Sequence, residues 1–263
     1  VLPAEMATLV TGALVAGEQF LGDVKTLATQ LLNSIDWTFF LDRETNLYHV
    51  SWVPQYDRYH NTVANVGYLS DELLSQYSDK IFLIAPLAFI NHKDDSAVKK
   101  SLFAFNRESV QYMIKTGANE GATLNIVPTV NGSLASYLAA HCFIDFKTLE
   151  SDHANEIMDD DTLLAIDWWQ NTQNAIIANK DFCSFRSPHF PFSFDGGKSW
   201  GLSACQTPSG RYERLYGAPP FINGPAHDGT INVAMPIASL PFFAELDGGV
   251  LSQNSGFQAI DYY

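Results

Sequence analysis

Basic residues are scarce in this chain, and their scarcity excludes several classes of partner. The 263 residues include 15 Lys and Arg against 29 Asp and Glu, which gives a formal net charge of −14. A nucleic-acid backbone or an anionic membrane surface requires a basic face, so we expect neither as a partner. Apolar runs are also short. The longest, at 81–90, is interrupted by Pro86, and we therefore expect no membrane span.

Several catalytic motifs are missing as well. The three cysteines, Cys142, Cys183 and Cys205, form no C-x-x-C pair, which leaves a zinc or redox site without support. An odd count leaves at least one thiol free or paired between chains. Neither a G-x-S-x-G elbow nor a P-loop occurs, and the acidic stretch at 152–161 lacks EF-hand spacing. We expect no metal and no cofactor.

Aromatic residues, in contrast, are plentiful, with 18 Phe, 11 Tyr and 5 Trp. Many glycines and prolines interrupt the stretch from Trp200 to Phe243, which also carries Tyr212, Tyr216 and the pair His227-Asp228. A second irregular stretch, at 41–70, carries Trp52. Because aromatic rings stack on sugar faces and carboxylates perform acid–base work on glycosidic bonds, these loops predict a carbohydrate-binding cleft.

Apolar residues at helical spacing predict an all-α fold. The predicted helices cover residues 4–20, 24–40, 71–90, 96–116, 133–146 and 162–185, and the stretches between them are interpreted as loops. Glu72 and Asp79 lie seven residues apart within the 71–90 segment, so a helix would project both from one face. They are the first candidates for catalytic acids, and the alternative is a solvated helix face.

Four sequence blocks, in this order, resemble the signature of the glycoamylase-like bacterial family. They are SWGLSAC at 199–205, YGAPP at 216–220, HDGTI at 227–231 and ASLPF at 238–242. The family includes endo-β-1,2-glucanases and a domain of cyclic β-1,2-glucan synthases. The resemblance implies an (α/α)6 toroid with long loops at its active-site mouth. It implies that 1–263 is one such domain, without the family's first and last helices, so that a second chain or segment would complete the toroid.

The resemblance also suggests roles for individual residues. The segment YSDKIFLIAPLA at 77–88 matches a family helix whose acid is Glu, so that position falls on Asp79. Aspartate is one methylene shorter, and a misplacement of ~1 Å can cost orders of magnitude in rate. Either Asp79 acts from a shifted backbone, or Glu72 replaces it, or the activity is lost. Asp228 is the second carboxylate of the site. Glu5 matches a position that is commonly acidic in the family.

These features together predict a glycoside hydrolase that acts on a β-glucan, with β-1,2-linked glucan favoured. We expect Asp79, Glu72 and Asp228 to be the catalytic candidates, and the following residues to bind an oligo- or polysaccharide: Glu5, Trp52, Trp200, Tyr212, Tyr216 and His227. A secreted or periplasmic location is expected. One alternative is a non-catalytic carbohydrate-binding or structural extracellular protein on a degenerate glycosidase scaffold. Another is a lyase that uses Tyr and His residues.

Overall fold

The computed structural model describes residues 1–56, 59–60, 62–195, 198–223 and 227–243. The α-helices in these ranges are α1 (Pro3–Phe20), α2 (Gly22–Asn33), α3 (Asp79–Asn91), α4 (Ser96–Ser101), α5 (Ala135–Leu138), α6 (Phe146–Leu149), α7 (Ala154–Met158), α8 (Trp168–Arg186), α9 (Pro191–Phe194), α10 (Ala234–Ala238) and α11 (Leu240–Phe243). The strands are β1 (Leu41–Asp42), β2 (Leu47–Tyr48), β3 (Trp52–Tyr56), β4 (Thr62–Leu69), β5 (Val110–Met113), β6 (Thr123–Ile126), β7 (Cys205–Gln206) and β8 (Tyr212–Glu213). Short 3-10 helices cover Trp37–Phe40, Ala139–Cys142 and Ser187–His189.

The prediction of an all-α toroid is wrong, because the chain contains strands between its helices. In the described ranges these strands pair in sequence order into four antiparallel two-stranded sheets, β1–β2, β3–β4, β5–β6 and β7–β8. Two of the sheets lie within the stretch at 41–70 that was interpreted as a loop. The fold therefore combines helices with small hairpins.

The hairpin β5–β6 shows why the helical prediction for residues 96–116 is wrong. Helix α4 ends at Ser101, and the chain then becomes extended. Tyr112 and Ile114 are buried while Gln111 and Met113 are exposed, an alternation with a period of two that belongs to a strand. Val110 pairs with Ile126 and Met113 with Thr123.

The chain forms two compact units, and the first comprises Val1–Arg107 and His153–Ala165. Helix α3 is its core element, with seven buried residues that surround nearly its whole circumference. Helices α1 and α2 form an antiparallel hairpin, which ends its first helix at Leu21 and Gly22, both at positive φ. Gly17 allows this hairpin to close, because an added Cβ would lie 3.0 Å from the Cα of Lys25.

The segment before α3 also differs from its prediction. Residues 71–78 are extended and contact neighbouring backbone: the Val50 amide donates to the Glu72 carbonyl and the Leu74 amide to the Tyr48 carbonyl, at 2.9 and 2.8 Å. The helix begins only at Asp79. Glu72 and Asp79 therefore do not share a helix face, and the argument that grouped them is wrong.

The second unit comprises Glu108–Asp152 and the chain from Ile166 onward, and buried polar side chains of α8 organise it. Asn171 bonds the backbone of Val127, and Asn179 accepts from the Leu202 amide at 3.1 Å and donates to the Leu202 carbonyl at 3.0 Å. Asp181, also buried, accepts four hydrogen bonds from the turn after β5 and from Tyr112. Helix α8 thus replaces regular sheet pairing as the support of these loops.

Two further observations concern the whole described chain. No helix within the described ranges is long and apolar enough to cross a membrane. Cys142, Cys183 and Cys205 are all free thiols. The description of residues 1–263 as a single family domain stays a prediction.

Candidate active site

Asp79 is placed where a carboxyl group is driven toward its neutral form. It is the first residue of α3, half-buried where that helix enters the core. Burial raises the pKa of Asp79 to about 6, although the neighbouring Lys80 charge and backbone hydrogen bonds oppose the shift. The rings of Tyr77, Phe82 and Phe105 form an aromatic cluster around the start of this helix, with centroids 5.8–6.2 Å apart. The result is a carboxyl group suited to donate a proton near pH 6.

Glu5 is the second acid that the structure brings to this place. It lies in the first turn of α1, which packs against α3, and its side chain is exposed. Its negative charge contributes to the raised pKa of Asp79. Glu72 is exposed and lies in the extended segment before α3. The structure therefore joins Glu5, rather than Glu72, to Asp79.

Trp52 is half-buried on β3 of the same unit. Its indole lies against the opposite strand at Gly67, where an added Cβ would come within 2.5 Å of Trp52 Cζ2. The backbone of Trp52 also exchanges hydrogen bonds with Val1, which fixes the start of β3. Only a glycine at position 67 leaves room for the ring in this orientation.

Asp228 is the ionised carboxylate of the second unit. It is exposed, and its Oδ1 accepts from the Thr230 amide at 2.9 Å. Burial alone raises the pKa of Asp228, but hydrogen bonds from the hydroxyl and amide of Thr230 and from the Tyr216 hydroxyl outweigh it and hold the pKa below its usual value. Burial and the bond to Asp228 raise the pKa of Tyr216 to about 12. Tyr216 therefore stays protonated as a donor to Asp228.

His227 precedes this carboxylate in a ring of phenylalanines. Its imidazole lies 5.4 Å from the Phe182 ring, 5.3 Å from Phe190 and 6.3 Å from Phe194, measured between centroids. Burial and the positive charge of Arg186 lower the pKa of His227 against the opposing charge of Asp228. His227 is therefore neutral at physiological pH.

The two remaining aromatic candidates lie at opposite depths. Trp200 is 0% exposed, so the inference that its Gly- and Pro-rich loop lies outside the core is wrong. The loop enters the core because Gly201, at φ +115°, brings the backbone against Asn232 and Pro236. Tyr212 on β8 is 71% exposed. Of these two rings, only that of Tyr212 has a face open to a ligand.

Sequence reasoning missed several neighbours of these residues. Thr230 supports Asp228, and Cys205 lies close enough that burial together with the Asp228 charge raises the pKa of its thiol. The Asp-Gly-Thr sequence was a usable signal, since Asp side chains bond the backbone two residues further on. No group of three or more His, Cys, Asp or Glu that could hold a metal occurs in the part of the chain that the structure describes.

Comparison with known proteins agrees with the blocks in the sequence. The chain belongs to the Glycoamylase family, whose model, described as "Putative glucoamylase", matches residues 76–254. This match confirms the resemblance to a glycoamylase-like family. No curated protein matches the chain significantly.

One solved structure is similar over nearly the whole chain. It is an endo-β-1,2-glucanase from Chitinophaga pinensis in complex with sophorotriose and glucose, with a TM-score of 0.58 and 16% sequence identity. The match covers 99% of this chain and 53% of that one, so the chain spans about half the length of the glucanase. At this identity the likeness is one of fold.

Proposed function

We propose that the chain acts as a glycoside hydrolase on a β-glucan, with Asp79 as the proton donor. The observation that carries the proposal is the half-buried Asp79 carboxyl at the start of α3, whose pKa is raised to about 6. Membership of the Glycoamylase family supports the reaction class. The structural neighbour, an endo-β-1,2-glucanase, favours a β-1,2 linkage. A polysaccharide substrate also fits the secreted or periplasmic location, which stays a prediction.

The chemistry needs a proton for the departing glycosidic oxygen and a carboxylate that activates water or attacks the sugar. Environments that push two carboxyl pKa values apart provide both forms at one pH. Here burial raises the pKa of Asp79, while hydrogen bonds from Thr230 and Tyr216 lower that of Asp228. Asp79 would donate the proton, and Asp228 would orient water or hold a sugar hydroxyl.

The sugar would bind through side chains that remain accessible. Tyr212 presents an exposed ring, and Trp52 presents a half-buried one supported by Gly67. Stacking on such rings is tolerant of sugar orientation, whereas the fixed hydroxyl of Tyr216 and the His227 imidazole would contribute hydrogen bonds. Glu5 would keep the Asp79 carboxyl protonated through its negative charge.

The test is Asp79→Asn assayed on β-1,2-glucan beside Asp94→Asn, which removes an exposed carboxylate from the same unit. We expect Asp79→Asn to lose at least ~100-fold in kcat, the usual contribution of general acid catalysis, with glucan binding unchanged. Asp94→Asn should match the wild type. Wild-type turnover should fall as pH rises above about 6, where Asp79 ionises.

Two results would contradict this proposal. If Asp79→Asn and Glu72→Gln both cleave glucan at the wild-type rate, these carboxyls are only solvated groups. If the wild type binds β-glucans but cleaves none of them, the protein is a carbohydrate-binding protein on a glycosidase scaffold.

A further inference from the structure

Arg186 and His227 lie close together in the second unit, and each has a buried nitrogen without a hydrogen-bond partner. These atoms are Nε of Arg186, the last residue of α8, and Nδ1 of His227, and no atom of the described chain bonds either of them. Their proximity is shown by the effect of the Arg186 charge, which adds to burial in lowering the pKa of His227. Buried polar atoms are nearly always satisfied, so a missing partner at two adjacent nitrogens points to a ligand.

The surroundings strengthen any charge interaction at these nitrogens. The rings of Phe182, Phe190 and Phe194 line one side of His227. On the other side, Gly229 packs so tightly that an added Cβ would lie 2.7 Å from Phe190 Cδ1. Apolar walls lower the local dielectric, and a hydrogen bond to a charged group is stronger there than in water.

Arg186 also has no counter-ion. Across the described residues, no carboxylate lies within ion-pair distance of its guanidinium. The neighbouring Asp228 is held by Thr230 and Tyr216 instead. In a chain of net charge −14, an arginine beside a neutral imidazole and without a protein carboxylate is placed to receive an anion from outside.

We propose that Arg186 and His227 form a subsite for the carboxylate of an acidic sugar unit, such as a uronosyl residue of the glycan. The guanidinium would present Nε–H and one Nη–H side by side to the two carboxylate oxygens, the fork geometry that arginine supplies and lysine does not. His227 Nδ1–H would donate to one of the same oxygens. The inference rests on the proposed function only for the nature of the ligand, a glycan.

The experiment is calorimetric titration of the full chain with glucuronate, glucose and inorganic phosphate. The variants are Arg186→Gln, Arg186→Lys and, as a matched control, Arg211→Gln, which removes an exposed arginine of the same unit. We expect glucuronate to bind at least ~10-fold more tightly than glucose, and Arg186→Gln to weaken glucuronate binding by about 10- to 100-fold, the effect of losing hydrogen bonds to a charged group. Arg211→Gln should bind as the wild type does.

Arg186→Lys keeps the charge without the fork and provides the test if Arg186→Gln fails to fold. It should bind glucuronate less tightly than the wild type, and equal affinity would overturn the fork geometry. The proposal is also overturned if glucose binds as tightly as glucuronate, or if phosphate binds as tightly as glucuronate and identifies a general anion site. Because binding is measured without cleavage, loss of glucan hydrolysis and loss of glucuronate binding are separate results.

Discussion

At the scale of single residues, Trp200 and Tyr212 separate the stability of the fold from sugar binding. Trp200 is fully buried, and its truncation to alanine would leave a cavity in the core of the second unit. We expect Trp200→Ala to lower the free energy of unfolding by about 3–5 kcal/mol, measured by urea denaturation. A variant as stable as the wild type would contradict the core position of the indole.

Tyr212 supplies the opposite prediction. Because its ring is 71% exposed, Tyr212→Ala should change the free energy of unfolding by less than about 0.5 kcal/mol. It should weaken binding of a β-1,2-linked oligosaccharide by about 1–3 kcal/mol if the ring is a stacking anchor. Titration of wild type and variant with the same oligosaccharide measures this effect. Equal affinities would remove Tyr212 from the site.

The different depths of these two rings show what the sequence could predict at this scale. Both lie in one stretch rich in Gly and Pro, and such composition predicts an irregular backbone but not its depth. The burial of Trp200 depends on the positive φ of Gly201 and on contacts with Asn232 and Pro236, some 30 positions further along the chain. The raised pKa of Asp79, in contrast, follows from local sequence, since a carboxyl directly precedes the apolar run at 81–85.

At the scale of secondary-structure elements, Asp181 fastens α8 to the end of β5. Its carboxylate accepts from the Tyr112 hydroxyl at 2.7 Å, from the amides of Lys115 and Thr116 at 2.9 Å each, and from the Thr116 hydroxyl at 2.6 Å. In Asp181→Asn, the new NH2 group must face donors with nothing to accept their protons. We expect a loss of about 3 kcal/mol in the free energy of unfolding.

Urea denaturation measures the effect, with the exposed Asp161 changed to Asn as the control. The control should stay within about 0.5 kcal/mol of the wild type. If the two substitutions have equal effects, the four hydrogen bonds of Asp181 add nothing to stability.

The elements themselves were predictable to different degrees. Helix α1 follows a long run of helix-forming residues with Pro at its first turn, and the expected bounds of 4–20 agree with Pro3–Phe20. The start of α3 was placed too early, because residues 71–78 form backbone hydrogen bonds with distant residues such as Tyr48 and Val50. Strand β5 was missed because the period of two in Val110, Tyr112 and Ile114 was interpreted as the end of a helix.

At the scale of the whole molecule, two titrating groups act on stability with opposite signs. The pKa of Asp79 is raised to about 6 from 3.8, so the native state holds this proton when the unfolded state has lost it, and stability falls as pH rises from about 4 to 6. Burial lowers the pKa of His141 to about 4 from 6.5. The unfolded state then binds the extra proton, and stability rises with pH between about 4 and 6.5.

Urea denaturation between pH 4 and 7 should separate the two effects. Relative to the wild type, Asp79→Asn should gain stability as pH rises, by about 1–2 kcal/mol after allowance for the solvent that screens a half-buried carboxyl. His141→Gln can keep the bond to Thr172, which His141 Nε2 makes at 2.8 Å, and should gain relative stability as pH falls. Differences that stay constant with pH in both variants would contradict the two pKa shifts.

The asparagines of α8 have a consequence for hydrogen exchange. Asn171 and Asn179 bond the amide groups of Val127 and Leu202, which lie outside regular helices and strands. Each side-chain amide thus occupies the place that a neighbouring strand would take, and exchange at Val127 and Leu202 should be as slow as inside a helix. Asn179→Ala should speed deuterium uptake at Leu202 while Val127 stays protected, and Asn171→Ala should do the reverse. Exchange therefore measures, amide by amide, how firmly one helix holds two irregular segments.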